Sequence, residues 1–104
     1  MHIFKICTRE LWEETQRSGV FPGMPIDVAD GYVHLSSLEQ SGATIRKYFI
    51  GQTGLVMLTV DANTLGDALR FEQSSTGRRG EFPHLYGPLP LSAIVEAMPF
   101  DAPE

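Results

Sequence analysis

The order of apolar and polar positions predicts a strand, a helix and a second strand in the first third of the chain. A β-rich run over 3–7 precedes Thr8, whose hydroxyl can cap a helix that ends near Gly19. Proline, glycine and aspartate interrupt 20–30, so we expect a loop there that could cover a pocket. A second strand follows over 32–35.

A second helix is predicted from the Ser36-to-Glu39 segment. Serine followed three residues later by glutamate is the capping-box pattern, in which both side chains satisfy amides at a helix start. Gly51 would end this helix. Its inward face is expected to carry four residues at helical spacing: Leu38, Gly42, Ile45 and Phe49.

The rest of the chain is predicted to be mostly strand. The nearly continuous apolar run over 55–60 is typical of a central strand covered on both faces. The remaining predicted segments are a helical turn over 61–65, a strand over 68–72, a polar loop over 73–81, a returning segment over 82–86 and a last strand over 94–98. The expected fold class is α+β, with a small mixed or antiparallel sheet and two main helices.

Composition restricts the chain to one domain over 1–104. Its 104 residues are 42% hydrophobic, enough for a single core, in which we place Trp12, Phe49 and Phe71. The net charge of -5 opposes broad binding to nucleic acid. Arg78 and Arg79 are the densest basic pair, and we interpret them as part of a solvated loop. The sequence leaves the oligomeric state open.

Cysteine usage and hydropathy favour a cytoplasmic protein. Cys7 is the single cysteine, so an internal disulfide cannot form, and in a predicted strand it is expected to be a small buried hydrophobe. The first residues lack the long apolar segment of a secretory signal. The longest uncharged stretch, 48–60, is shorter than the roughly 18 apolar residues that span a bilayer, so no membrane association is expected.

Two short polar segments carry the candidate chemistry. In a strand, Tyr32, His34 and Ser36 point to one side, and the buried residues between them point to the other. The second segment repeats this alternation with His84 and Tyr86. We therefore predict that both histidines line one cleft.

Each candidate also has a structural interpretation. His34 and His84 can be hydrogen-bonded core residues, Tyr86 can anchor a turn, and Ser36 can simply cap its helix. Glu72 can be a general base, a ribose ligand or a surface carboxylate. Zinc binding by these histidines and Glu72 is disfavoured, because the sequence has no paired metal-ligand spacing.

An anionic small molecule is the expected ligand. A helix start beside His34 combines free amides with the positive end of the helix dipole, which is where a phosphate or carboxylate would lie. Such binding would weaken with salt and strengthen when either histidine is protonated.

Four segments together resemble the uncharacterised bacterial family called domain of unknown function 952. They are residues 5–8 (KICT), 31–36 (GYVHLS), 70–72 (RFE) and 82–90 (FPHLYGPLP). The fold of that family resembles the ADP-ribosyltransferase superfamily, which includes NAD-using transferases and RNA 2'-phosphotransferases.

This resemblance implies a cleft with NAD or ADP-ribose as cofactor or ligand. Residues 5–7 or Thr8 would occupy the first-strand motif, and 32–36 the second. Lys5 stands where the transferases place a nicotinamide-binding His or Arg. Glu72 is the better match for their catalytic glutamate, and Glu81 the weaker one.

Two functions from different classes follow. In the first, a transferase or hydrolase acts on an ADP-ribosyl or phosphorylated group, with His34, His84 and Glu72 as catalytic residues. Its ligand contacts would come from four further side chains: Ser36, Tyr32, Tyr86 and Thr8. In the second, a non-catalytic module keeps the cleft and binds a small molecule or a partner protein. The missing first-strand His or Arg favours the second, and the paired histidines favour the first.

Overall fold

Six strands form two antiparallel three-stranded sheets in the computed structural model, which describes residues 1–74 and 77–104. Three α-helices and three short 3-10 turns complete the described elements, and the fold is α+β as predicted. All described strand pairs are antiparallel, which is one of the two predicted arrangements, but the strands form two sheets instead of one, and a short helix is present besides the two main helices. In chain order the elements are β1 (His2–Thr8), α1 (Arg9–Ser18), α2 (Pro25–Asp30), β2 (Val33–His34), α3 (Leu38–Tyr48), β3 (Leu55–Asp61), β4 (Leu69–Gln73), β5 (Glu81–Leu85) and β6 (Ile94–Phe100).

The first sheet has the order β1-β3-β6. Its central strand is β3, as the continuous apolar run predicted, and Leu58 within it is completely buried. The short helical turn predicted after this strand is confirmed as a 3-10 turn at Ala62–Thr64. The last predicted strand is confirmed as β6.

The second sheet has the order β2-β5-β4. Its two-residue strand β2 pairs with β5 so that His34 lies opposite His84. A bridge between Phe4 and Ser36, with N···O distances of 2.8 and 2.9 Å, connects this region to β1 of the first sheet. The predicted loop over 73–81 is only partly observable, because its residues 75 and 76 lie outside the described residues.

The predicted loop over 20–30 contains an additional helix, α2. Pro25 occupies its first position, where a missing amide hydrogen costs nothing, and Gly31 ends it with a left-handed φ of 82°. The Asp27 carboxylate accepts a hydrogen bond from the Met24 amide at 2.7 Å. Because α2 has only six residues, its apolar periodicity is too short to distinguish it from a loop.

The first main helix begins as predicted, whereas the second begins one residue later. Thr8 caps α1 by accepting from the Leu11 amide at 3.2 Å. The cap of α3 is Ser37, with Gln40 as its reciprocal partner, and not the predicted Ser36 with Glu39. Both backbone groups of Ser36 are bonded to β1, so Ser36 continues the extended chain and the next serine caps the helix.

Two of the core predictions, Phe71 and Leu38, are wrong, and two others are met only in part. Phe71 is 42% exposed on the edge strand β4, and Leu38 is 70% exposed at the first turn of α3. Trp12 and Phe49 are only partly buried, although both pack against the core. Cys7 is buried as expected.

No helix among the described residues has the length and apolar character that crossing a membrane requires.

Candidate functional site

A cavity of about 280 Å³ lies where β1, β2, α3 and β5 meet, and His34 and His84 both line it. Their ring centroids are 5.6 Å apart. The opposed register of the two histidines in β2 and β5 explains this, because directly paired residues of adjacent strands project from the same face. The predicted shared cleft is therefore present.

The two predicted tyrosines lie beside this cavity. The Tyr32 ring centroid is 4.5 Å from that of His34, 4.3 Å from that of His84 and 5.0 Å from that of Tyr86. Tyr32 and Tyr86 line a neighbouring open groove of about 240 Å³. These tyrosines therefore pack the histidines from outside the cavity.

His84 forms a hydrogen-bonded pair with Glu72. Its Nδ1 lies 2.9 Å from Glu72 Oε1, which also accepts the Tyr86 hydroxyl at 2.6 Å. A carboxylate can only accept, so the Nδ1 of His84 carries a proton and Nε2 of the neutral ring is an acceptor. Hydrogen bonds from Tyr86 and His84 lower the pKa of Glu72. The hydrogen bond between Tyr86 and Glu72 also raises the pKa of Tyr86.

The second ring nitrogen of His84 is open to the cavity. The side chain is almost fully buried, with 3% of the residue exposed, and within the described residues Nε2 has no hydrogen-bond partner. Every completely buried side-chain nitrogen or oxygen in that part of the chain does have a partner. Because the ring lines the cavity, Nε2 is accessible from it.

His34 has no such free nitrogen. Its Nδ1 lies 2.7 Å from Asp27 Oδ1 and its Nε2 lies 2.9 Å from Asp30 Oδ2. Both partners belong to α2, so His34 attaches this helix to the sheet.

A buried ion pair joins β1 to the same helix. Lys5 Nζ lies 2.9 Å from both Asp27 oxygens and donates to the His34 carbonyl at 2.8 Å. Burial lowers the pKa of Lys5, although Asp27 opposes the shift. Burial alone would raise the pKa of Asp27, but hydrogen bonds from His34 and the charge of Lys5 outweigh it and hold that pKa below its ordinary value.

A chain of hydrogen bonds connects Ser36 to Arg78 at the other side of the cavity. The Thr44 hydroxyl donates to the Gln40 carbonyl at 3.1 Å, so it must accept from both Ser36 Oγ and Arg78, each at 3.1 Å. The Ser36 hydroxyl proton is therefore donated to Thr44. The Arg78 guanidinium also lies over the Phe82 ring, 4.4 Å from its centroid.

The structure corrects the interpretation of Arg78 as part of a solvated loop, because this side chain is half-buried and lines the cavity. The structure also separates the cavity from the helix start at which the anion site was predicted. The Ser37 amide is bonded to the Gln40 side chain at 3.0 Å, and neither Ser37 nor Leu38 lines the cavity. Thr8 is likewise absent from the cavity wall.

Sequence reasoning missed Asp27, Asp30, Thr44 and the ion-pairing role of Lys5. Asp27 follows Pro25 within one turn, which is a helix-start signal that could have identified α2. No local signal indicates the contact of Asp27 with Lys5, which lies 22 residues away in the chain.

Two further observations on the described residues concern metal ligands and the single thiol. These residues contain no group of three or more His, Cys, Asp or Glu side chains arranged to hold a metal ion. Burial raises the pKa of Cys7 to about 12, so its thiol stays protonated at neutral pH and is a poor nucleophile.

Comparisons with known proteins give one family and one solved relative. The family model described as "Protein of unknown function (DUF952)" matches residues 6–97. A crystal structure of protein CC0527 from Caulobacter crescentus shares 42% sequence identity, covers 97% of this chain and 87% of that chain, and has a TM-score of 0.90. A solution NMR structure of CC0527 shares 42% identity, covers 96% and 84% of the two chains, and has a TM-score of 0.84. No curated protein matches the chain at a significant level.

Proposed function

We propose, for a chain that belongs to the family described as protein of unknown function (DUF952), that its cavity binds a small anionic molecule and catalyses hydrolysis or group transfer on it. His84 is the acid–base residue and Glu72 orients it. The observation that carries this proposal is the almost fully buried His84, with Nδ1 bonded to Glu72 and Nε2 open to the cavity.

A carboxylate–histidine pair of this kind suits proton transfer. The carboxylate holds the ring in one tautomer and stabilises the imidazolium that forms when Nε2 takes a proton. Tyr86 holds Glu72 in turn through its 2.6 Å hydrogen bond. Such a positioned acid–base group contributes on the order of 10²–10⁴ in rate.

The nucleophile in this proposal is water or a hydroxyl group of a second substrate. The Ser36 proton is engaged by Thr44, and Lys5 is paired with Asp27. His84 Nε2 takes the proton of the attacking hydroxyl as its oxygen bonds to the electrophilic centre. The leaving group departs with its bonding pair and receives that proton from His84.

A nucleotide-like ligand, such as NAD or ADP-ribose, belongs to the same proposal. Support comes from the sequence resemblance of residues 5–8 and 32–36 to ADP-ribosyltransferase motifs, and from the position of Lys5, His34 and Ser36 at the cavity wall. A volume of about 280 Å³ is at the low end of the roughly 300–1,000 Å³ typical of ligand sites. The cavity therefore suits one end of such a molecule.

A binding module without catalysis is the second candidate. It is favoured by the number of polar groups that are already satisfied, since both ring nitrogens of His34, the Lys5 ammonium and the Ser36 proton have partners within the protein. In this case His84 Nε2 would only accept a hydrogen bond from the ligand.

The two functions are separated by measuring binding and turnover together. NAD, ADP-ribose and a 2'-phosphorylated oligonucleotide are tested by thermal shift, because a ligand at a hundred times its Kd adds about 2.7 kcal/mol of stability. Products are then followed by chromatography. We expect His84→Asn, whose amide can still donate to Glu72, to retain binding and lose roughly 10²-fold or more in turnover.

His2→Asn is the matched control, because His2 is exposed at the start of β1 and does not line the cavity. Full turnover in a folded His84→Asn protein would contradict the catalytic proposal. Binding by the wild type without any product would favour the binding module.

A further inference from the structure

We infer that the part of the ligand that enters this cavity is an apolar ring with one anionic group, and that Arg78 binds the anionic group. This inference rests on the proposed function, since it concerns the ligand of the same cavity. Arg78 would contact the charged group of the ligand, and the apolar side chains of the cavity wall would contact its ring.

The Arg78 guanidinium is held in place but keeps most of its donors. One of its five N–H groups reaches the Thr44 hydroxyl at 3.1 Å, and its Cζ lies 4.4 Å from the centroid of the Phe82 ring. Across 1–74 and 77–104, no carboxylate forms an ion pair with it. A guanidinium stays protonated, so this positive charge is available to a ligand.

The charges around the cavity favour an anion. The chain has 13 acidic residues and a net charge of -5, yet no Asp or Glu is found among the described residues that line the cavity. The Lys5 charge is compensated by Asp27 at 2.9 Å. Arg78 is therefore the cavity cation whose charge is not matched by a neighbouring carboxylate.

Much of the remaining cavity wall is apolar. Six side chains form it: Phe4, Ile6, Met24, Ile26, Phe49 and Phe82. The cavity of about 280 Å³ is nearly twice the roughly 150 Å³ that accommodates benzene in an apolar site. A ring with one anionic substituent fits this space, whereas the hydroxyl groups of a sugar would be buried without partners against the wall.

Four probes separate charge from shape in binding measurements on the full chain. Benzoate and phenyl phosphate combine a ring with an anion, benzamide is the neutral counterpart of benzoate, and ribose 5-phosphate carries an anion on a polar body. We expect benzoate to bind roughly tenfold to a hundredfold more tightly than benzamide, as charge-assisted hydrogen bonds imply. Phenyl phosphate should likewise bind more tightly than ribose 5-phosphate.

Arg78→Gln should remove the preference for benzoate over benzamide, and Arg78→Lys should restore part of it. The matched control is Arg79→Gln, because Arg79 is the adjacent arginine and is exposed outside the cavity wall. Thermal denaturation of each variant establishes that it is folded.

Three results would overturn the inference: equal affinity for benzoate and benzamide, the same loss in Arg79→Gln as in Arg78→Gln, or no binding of any probe at 10 mM, roughly the millimolar limit of weak affinities. Tighter binding of ribose 5-phosphate than of phenyl phosphate would contradict the inference that the cavity prefers an apolar ring. These results are measured by binding alone. They are therefore distinct from a failure of the catalytic proposal, which is tested by the turnover of His84→Asn.

Discussion

At the scale of single residues, Asp27 connects three parts of the chain. Its buried carboxylate accepts from the Lys5 ammonium on β1, from the Met24 amide and from both the backbone and the ring of His34. Only 4% of the residue is exposed. A buried carboxylate is stable only when it is paired and hydrogen-bonded, so these contacts must remain together.

Replacing Asp27 should change the response of stability to acid. Because the pKa of Asp27 in the folded protein is below its ordinary value of about 3.9, the unfolded chain takes up the proton first as pH falls. The stabilisation is present above that ordinary value and is lost as pH falls through the lower folded-state pKa. Asp27→Asn should lower the free energy of unfolding by about 3–5 kcal/mol at pH 7 and flatten its decrease below about pH 4.

Urea unfolding between pH 2 and pH 7 measures this effect. Asp67→Asn is the control, because Asp67 is exposed in a short turn and its replacement should leave the acid limb unchanged. Parallel pH curves for the wild type and Asp27→Asn would show that Asp27 is not the group that titrates.

At the scale of elements, the sheet decides where α3 begins. The Ser36 N–H donates to the Phe4 carbonyl of β1 and the Ser36 carbonyl accepts from the Phe4 N–H, and Ser37 then caps the helix. The same short segment therefore places the Ser36 side chain at the cavity wall and directs the next serine to the helix end. Moving the cap by one residue separates the helix start from the cavity.

Ser37→Ala should destabilise the protein by about 1 kcal/mol, the usual cost of losing a helix cap. The backbone amide of Gln40, which donates to Ser37 Oγ at 3.2 Å, should then exchange its hydrogen faster. Ser36→Ala is the matched variant and should leave the Gln40 amide protected. Urea unfolding and amide hydrogen exchange measure the two effects, and equal exchange of Gln40 in both variants would argue against Ser37 as the cap.

At the scale of the whole molecule, the two sheets share one core. Leu58 and Val60 of the first sheet and Val33 and Leu85 of the second belong to the same cluster of buried side chains. The Phe4–Ser36 bridge joins the backbones of the two regions. A shared core of this kind predicts that both sheets unfold together.

Leu58→Ala and Leu85→Ala should therefore shift a single unfolding transition. Both side chains are almost completely buried, so each variant should lose about 2–5 kcal/mol. Met98→Ala, on the exposed side of β6, is the control and should change stability by less than about 0.5 kcal/mol. Two separate transitions in urea, one for each sheet, would show that the sheets do not form one cooperative unit.

Much of the fold could be predicted from local patterns. The alternation at Val33, His34 and Leu35 identified Val33 and Leu35 as buried, and the apolar run over 55–60 identified the central strand of the first sheet. The six-residue helix α2 was missed because proline and glycine predict a break regardless of what lies between them. Phe71 was misplaced because its strand lies at a sheet edge, which alternation alone does not reveal.

The candidate site was predictable only in part, because many of its side-chain contacts join residues that are distant in the chain. The polar alternation in two segments was sufficient to place His34 and His84 together, but the partners of each ring were not evident.

By itself, the sequence determined which residues favour burial, where most helices and strands form, and that two histidine segments share a polar pattern, because these properties depend on neighbours within a few positions. Only the tertiary structure decided that Lys5 meets Asp27, that Glu72 orients His84, and that Arg78 lies against Phe82 at the cavity. Those contacts depend on strand register and on how the two sheets pack, and one position of register would turn each strand residue to the opposite face.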